Sequence, residues 1–116
     1  MLNSCDFTGR LAGDPKVFEK DGVLRAVFTL AVDRDQKQED GTYETDFLDF
    51  IAWRSTAEFV QKYFHSGDMA TVSNARAQVR RFIDSNNVKQ RRVEFAVDRV
   101  YFGQAKKRDE EMTESE

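Results

Sequence analysis

The side chains that most often catalyse reactions or bind metals are scarce in this sequence. One histidine, His65, and one cysteine, Cys5, occur among 116 residues. Without a second soft ligand, neither a zinc cluster nor a Cys-x-x-Cys redox pair can be assembled, and no disulfide can form within the chain. The acidic residues at positions 33–40 lack the EF-hand spacing, so a solvated hairpin is preferred over a cation site. We therefore expect no enzyme activity, no metal and no cofactor.

A different chemistry is indicated by the segment from Asp46 to Arg54, which carries large apolar side chains on both faces of a predicted strand. In an extended chain, Phe47 and Trp53 fall on one side and the even-numbered apolar residues fall on the other. A barrel wall needs only one apolar face, which is directed towards the core. The two aromatic residues must therefore be covered, lie in a subunit interface or bind a ligand.

The segment at residues 69–82 has a similar two-sided pattern. We expect its small apolar face, with Ala75, Ala77 and Val79, to point into the core. The opposite face carries two arginines, a glutamine and a phenylalanine, which are Arg76, Gln78, Arg80 and Phe82.

Aromatic rings beside arginines suit single-stranded nucleic acid. Its bases stack on Phe, Tyr or Trp for about 1–3 kcal/mol each, largely regardless of sequence. Its phosphates need cations, and arginine offers both a charge and a stacking plane. The alternative is that Phe47, Trp53 and Phe82 are core or subunit-interface residues. Besides these three stacking residues, the residues predicted to make polar or phosphate contacts are Arg10, Arg34, Arg54, Arg76, Gln78, Arg80, Arg81, Arg91 and Arg92.

The formal net charge of -3 conceals a strong asymmetry along the chain. Residues 1–70 carry 8 basic and 13 acidic side chains, residues 71–108 carry 10 and 3, and residues 109–116 carry none and 5. The block at 71–108 therefore has a charge of +7. Because binding responds to local potential rather than to the total, this block is compatible with a polyanionic ligand. A solvated charged strand face is the alternative interpretation.

Alternating polarity predicts five strands, with one helix between the third and the fourth. The predicted strands are residues 3–11, 24–32, 45–54, 69–82 and 91–102. Residues 33–43 are predicted to form a long hairpin loop. The helix is predicted to begin at a capping box from Ser55 to Glu58 and to end at Ser66-Gly67. This is the element order of an all-β OB-fold, a five-stranded Greek-key barrel, although another five-stranded barrel with one helix also fits the pattern.

The apolar pattern ends at Gly103. We therefore expect one domain, residues 1–103, followed by a short, charged and disordered acidic tail, residues 104–116. No apolar run approaches the ~18 residues of a transmembrane helix, and the N-terminus lacks the basic start and apolar stretch of a signal peptide. We expect a cytoplasmic protein with no membrane partner.

Short motifs in a fixed order carry a resemblance to a known family. In chain order they are Gly9-Arg10-Leu11 with Asp14-Pro15, Phe28–Val32, Asp46-Phe47 to Trp53-Arg54, Ala57-Glu58, Lys62-Tyr63 to Gly67-Asp68, and Arg76–Arg80 before an aromatic residue. Over residues 1–103 the chain resembles the bacterial and phage single-stranded DNA-binding proteins. The resemblance implies an OB-fold that binds and protects single-stranded DNA, without sequence specificity, in replication, recombination or repair. It also implies a homotetramer, with a dimer as the alternative.

The same resemblance implies roles for individual residues. Phe47, Trp53 and Phe82 stand where the family stacks bases. The family's DNA-facing strand and first-strand motif correspond to Arg76, Gln78, Arg80 and Arg10. A further stacking position of the family corresponds to Gln36, which is not aromatic, so one stacking platform is expected to be missing.

Two further departures from the family pattern lead to predictions. Ser73-Asn74-Ala75 is one residue longer than the usual step into the fourth strand, which predicts a β-bulge or a shifted register. The acidic tail ends at Met112 to Glu116 without the family's Ile-Pro-Phe tip, so we do not expect it to recruit replication or repair proteins. Two alternatives to single-stranded DNA binding stay open, namely an OB-fold protein-interaction subunit and an RNA-binding OB module.

Overall fold

The structure, a computed structural model, describes residues 1–102. Within this range it has seven strands and one helix. In chain order they are β1 (Cys5–Leu11), β2 (Lys16–Lys20), β3 (Val23–Lys37), β4 (Tyr43–Trp53), α1 (Arg54–Tyr63), β5 (Met69–Ile83), β6 (Lys89–Val97) and β7 (Arg99–Phe102). The predicted tail, residues 104–116, lies outside the described residues.

Five of the strands close into a barrel. Its strand order is β1–β3–β4–β6–β5, and β5 pairs with β1 to complete the ring. β4 and β6 are parallel, and the other barrel neighbours are antiparallel. The helix lies between β4 and β5, as the sequence predicts. A closed five-stranded sheet with a helix at this point confirms the predicted OB-fold.

The core of the barrel is built around Phe50. Its ring stacks on that of Phe28 with centroids 5.3 Å apart, and Phe7 meets it edge-on at 5.4 Å. The helix α1 adds Ala57 and Val60 to the same buried cluster. Because Phe28 and Phe50 occupy one parity of β3 and β4, the residues of the other parity lie on the outer face of the barrel.

The predicted β-bulge is present in β5. Between the pairs Cys5–Ala75 and Phe7–Val72, β5 has one residue more than β1. The extra residue is accommodated at Asn74, which has a left-handed φ of 61° and donates its backbone N–H to Asp6 Oδ1 at 2.8 Å. Such a bulge leaves one residue outside the ladder.

The bulge also explains why the predicted strand 91–102 is interrupted. β6 and β7 keep a single register along β5, with Arg76 opposite Ala96 and Ser73 opposite Arg99. The break between them falls at Asp98, opposite the bulged part of β5. The sequence pattern does not predict β2, which forms a hairpin with β3.

Two hairpins continue past the barrel and are named here by their strands. In the β3–β4 arm (residues 33–46) and the β5–β6 arm (residues 78–94), the two strands pair only with each other. The predicted loop at 33–43 is wrong for most of its length, because β3 runs to Lys37 and β4 begins at Tyr43. A polar sequence does not end a strand when the backbone groups of the two neighbouring strands can still form hydrogen bonds with each other.

The predicted helix start is also wrong. The helix begins at Arg54, and the N-cap is Trp53, which makes no side-chain capping hydrogen bond. Arg54 has a positive φ of 55°, which costs an L-residue about 1 kcal/mol or more relative to glycine. The sharp change of direction from β4 into α1 occurs at this residue, so the chain is already helical at Ser55 and no capping box can form. The helix ends at Tyr63, before the predicted Ser66-Gly67.

Candidate nucleic-acid interface

The outer face of β3 and β4 forms a surface that we call the floor. It consists of four directly opposed pairs, Arg25–Trp53, Val27–Ile51, Thr29–Asp49 and Ala31–Phe47. An aromatic ring therefore lies at each end of the floor, with an aliphatic pair and a polar pair between them. Trp53 lies six positions after Phe47, which corresponds to about 20 Å along an extended strand.

A groove of about 540 Å³ runs over the middle of this floor. Its lining includes Thr29, Asp49 and Ile51, whereas the rings of Phe47, Trp53 and Phe82 do not line it. One wall is formed by Asp14, in the segment between β1 and β2, and by Lys16, the first residue of β2. The other wall is formed by Arg80, Arg92 and Glu94 of the β5–β6 arm. This face of an OB-fold, with the loops at its two sides, is the one that binds oligonucleotides and oligosaccharides.

The aromatic residues at the ends of the floor are exposed. Phe47 is 65% exposed and Trp53 is 45% exposed. The sequence leaves open that these two residues belong to the core, and their exposure shows that this alternative is wrong for both. Exposed rings of this size are suited to base stacking.

Phe82 lies on the β5–β6 arm, on the same face as Arg80 and Arg92. It is half-buried, and the two guanidinium groups lie 4.8 Å and 5.6 Å from the centre of its ring. Contact with an aromatic face restricts the motion of each arginine head while its outer N–H groups stay available. The burial of Phe82 is thus due to the arginines rather than to the barrel core.

The groove contains four basic side chains, of which the sequence prediction named two. Arg80 and Arg92 were expected, whereas Arg25 and Lys16 were not. The guanidinium of Arg25 lies 4.9 Å from the ring centre of Phe18 and 6.0 Å from that of Trp53. The signal for Arg25 is present in the sequence, because it has the outward parity of β3, but its partner Trp53 comes from another strand.

The carboxylate of Glu94 is occupied by its neighbours. Arg80 Nε lies 3.3 Å from Glu94 Oε1, and Gln78 Nε2 donates to Glu94 Oε2 at 3.0 Å. Among residues 1–102, no carboxylate pairs with Arg92 in this way. The wall of the groove therefore combines one partly neutralised arginine with one that has its full charge.

Other predicted contacts lie away from the groove. Arg81 and Arg91 face each other on the opposite side of the β5–β6 arm from Arg80 and Arg92. Arg10 donates to the carbonyl oxygen of Gly67 at 3.1 Å. Neither Arg54 nor Arg76 lines the groove, although both are exposed.

Arg34 is neutralised within its own arm. Its Nε and Nη2 donate to the two carboxylate oxygens of Asp46, each at 3.0 Å, and its Nη1 donates to Glu44 at 3.1 Å. The hydrogen bonds and charge of this pair hold the pKa of Arg34 above its ordinary value and that of Asp46 below its ordinary value. A phosphate would have to compete with both carboxylates for this guanidinium.

The predicted core face of β5 is only partly buried. Ala75 is fully buried and Ala77 is half-buried, but Val79 is 47% exposed. Val79 lies opposite Val93 on the β5–β6 arm, where no third element covers the pair. The prediction for Val79 is therefore wrong, because β5 extends beyond the barrel and Val79 lies in this extended part.

Residues 1–102 contain no group of three or more His, Cys, Asp or Glu side chains that could hold a metal ion. No helix in this range is long and apolar enough to cross a membrane. The backbone N–H of His65 donates to Asp68 Oδ2 at 2.9 Å, and this hydrogen bond closes the turn after α1.

Comparison with known proteins gives a consistent result. A family model described as "Single-strand binding protein family" matches residues 2–103. Single-stranded DNA-binding protein 2 of Listeria monocytogenes is 35% identical over 103 residues, which cover 88% of this chain and 64% of that protein. The single-stranded DNA-binding protein of Halalkalibacterium halodurans is 40% identical over 87 residues, which cover 74% and 51%.

A third relative agrees with these two. Single-stranded DNA-binding protein A of Bacillus subtilis is 37% identical over 83 residues, which cover 71% of this chain and 48% of that protein. The matched part of the chain thus spans between about half and two thirds of the length of these curated relatives.

Proposed function

The chain belongs to the single-strand binding protein family, and from this premise we propose that it binds single-stranded DNA in the groove over β3 and β4. Bases stack on Phe47, Trp53 and Phe82, while phosphates contact Arg80 and Arg92. The binding is not sequence-specific, because every base has a face that can stack. The protein catalyses no reaction in this proposal and needs no cofactor.

The observation that carries the proposal is the combination of the groove with the aromatic residues at the two ends of the floor beneath it. Two exposed aromatic rings mark the ends of its floor, and basic side chains stand on both walls. A protein-docking surface would not require cations on both sides of an aromatic track. A single strand requires them, because its phosphates follow every stacked base.

The structure changes which of the sequence-predicted contacts enter this proposal. Arg25 and Lys16 are added because they line the groove. Arg34 is left out because Asp46 and Glu44 occupy its guanidinium. The residues that we propose to contact DNA are therefore not simply the exposed arginines of the chain.

We include two wider features in the proposal. The protein protects single-stranded DNA in the cytoplasm during replication, recombination or repair. It works as a homo-oligomer, a tetramer by its family, and light scattering after size-exclusion chromatography would distinguish a tetramer from a dimer.

The first prediction concerns Trp53, which is the one tryptophan of the chain. Titration with oligo-dT is expected to quench its fluorescence, because the base stacks on the indole. The affinity is expected to fall steeply with salt, by a log–log slope of about -0.7 for each phosphate contact. Trp53→Leu, followed by anisotropy of a labelled oligonucleotide, is expected to weaken binding by about 1–3 kcal/mol.

The matched control is Tyr101→Leu, which removes an exposed aromatic ring from β7, outside the groove. Its affinity should equal that of the unaltered protein. Absence of both quenching and salt dependence would contradict the proposal and favour a protein-interaction module. Equal binding of the matching oligo-U would show that RNA is also a ligand, because stacking does not distinguish the sugar.

A further inference from the structure

The four pairs of the floor are not chemically equivalent. Thr29–Asp49 is the pair that brings hydrogen-bond acceptors to the middle of the track, between Phe47 and the aliphatic pair. The hydroxyl of Thr29 donates to Asp49 Oδ1 at 2.8 Å. Asp49 is half-buried and lines the groove. A carboxylate therefore lies at the centre of a surface proposed to bind a polyanion.

The groove holds three carboxylates, and their hydrogen-bond partners differ. Both oxygens of Glu94 are occupied by Arg80 and Gln78. Asp14 accepts the backbone N–H of Ser66 at 2.8 Å. Asp49 Oδ1 accepts from Thr29, whereas Asp49 Oδ2 has no partner among residues 1–102. Since a carboxylate has about four acceptor sites, Asp49 retains most of its capacity to accept.

The position of Asp49 determines which part of a strand it can meet. Three of the four cations stand on the walls, at Lys16 on one side and at Arg80 and Arg92 on the other, and the fourth, Arg25, lies at the Trp53 end of the floor. Phosphates are drawn to the walls and repelled by the centre of the floor. Bases that stack on Phe47 and Trp53 therefore turn their edges, which carry N–H donors, towards the carboxylate.

We propose that Asp49 reads base edges, accepting hydrogen bonds from guanine in preference to thymine. The Watson–Crick edge of guanine presents two adjacent donors, N1–H and N2–H, which match the two oxygens of a carboxylate. Thymine presents one N3–H between two carbonyl oxygens, and both of those repel the carboxylate. The inference rests on the proposed function, to which it adds a bias in base composition without a fixed sequence.

The experiment compares three labelled oligonucleotides of one length, namely oligo-dT, alternating oligo-d(TG) and alternating oligo-d(TI). Inosine retains N1–H of guanine but lacks the N2 amino group. We expect the unaltered protein to bind oligo-d(TG) at least about fivefold more tightly than oligo-dT, with oligo-d(TI) between them. Asp49→Asn keeps the shape of the side chain, and we expect it to reduce the preference to about one.

The matched control is Glu94→Gln, which removes the same charge from the same groove at a carboxylate that is already occupied. It is expected to raise the affinity for all three oligonucleotides by one common factor. If Asp49→Asn does the same, Asp49 acts only as a repelling charge and the inference is wrong. Equal binding of all three by the unaltered protein also overturns it. If none of the three binds at low salt, the proposed function itself is wrong.

Discussion

The β3–β4 arm and the β5–β6 arm are both two-stranded hairpins that leave the same barrel, and both carry arginine. Their charges differ in sign. Residues 33–46 include two basic and six acidic side chains, for a net charge of -4, whereas residues 78–94 include five basic and two acidic ones, for +3. In the first arm Arg34 is bound by Asp46 and Glu44. In the second, Arg80 and Arg92 lie over Phe82.

The difference shows that residue type alone does not identify a phosphate contact. Arg34 and Arg80 are about equally exposed, at 55% and 51% of the side chain. Arg34 has two carboxylate partners, and Arg80 shares one carboxylate with Gln78. The Phe82 ring orients Arg80 without cancelling its charge, which Glu94 neutralises only in part. Asp46 and Glu44 instead both orient Arg34 and neutralise its charge. Electrostatic context therefore distinguishes the arm that we propose to bind DNA from the self-paired arm.

The largest expected effect is the loss of the two groove arginines. Arg80→Ala with Arg92→Ala should weaken oligo-dT binding about 100-fold at low salt, because each hydrogen bond to a charged group contributes about 1.5–3 kcal/mol. The log–log salt slope should fall by about 1.4. Arg34→Ala, the matched change in the other arm, should alter neither quantity measurably. Equal losses in the two variants, measured by anisotropy across a salt series, would remove the distinction between the arms.

The aromatic residues of the arms provide a smaller contrast. Phe82→Leu should weaken binding about tenfold, since one stacking contact contributes about 1–3 kcal/mol. Tyr43→Leu, which removes the ring that lies 5.9 Å from Lys37 Nζ on the acidic arm, should have little effect. Thermal melting of both variants serves as the control. A collapse in the melting temperature of Phe82→Leu would show that Phe82 acts in stability instead.

The smallest expected effect comes from removing negative charge from the β3–β4 arm, so that its charge resembles that of the β5–β6 arm. Asp46→Asn with Glu44→Gln releases Arg34 and should raise the affinity for oligo-dT two- to threefold, which is about 0.5 kcal/mol. An unchanged affinity would indicate that this arm lies outside the path of the strand.

The same pair predicts a dependence of stability on pH. The hydrogen bond from Arg34 holds the pKa of Asp46 below its ordinary value of 3.8. A lowered pKa in the folded state stabilises the protein above the ordinary value, and this contribution is lost as the pH falls through the lowered one. The melting temperature should therefore drop less between about pH 7 and about pH 3 in Asp46→Asn than in the unaltered protein. An equal drop would show that the ion pair contributes nothing to stability.

Much of the fold follows from local patterns in the sequence. The parity of the strand places Phe47 and Trp53 on the face opposite Phe50, and in the structure Phe50 is buried while Phe47 and Trp53 are exposed. The extra residue near Asn74 predicts the bulge. Predictions that required knowledge of neighbouring elements were less successful. Val79 has the inward parity but no barrel around it, and the start of α1 depends on the turn at Arg54.

The sequence by itself determines the alternation of each strand, the place of the helix and the family, because these depend on the order and period of side chains along one chain. Only the tertiary structure decides which charges are cancelled. Asp46 reaches Arg34, and Glu94 reaches Arg80, through the pairing of separate strands. The groove likewise exists because β3, β4 and the β5–β6 arm meet around one floor. Ion pairs and grooves depend on the register of paired strands and on the closure of the barrel. Neither can be predicted from the spacing of residues along a single strand.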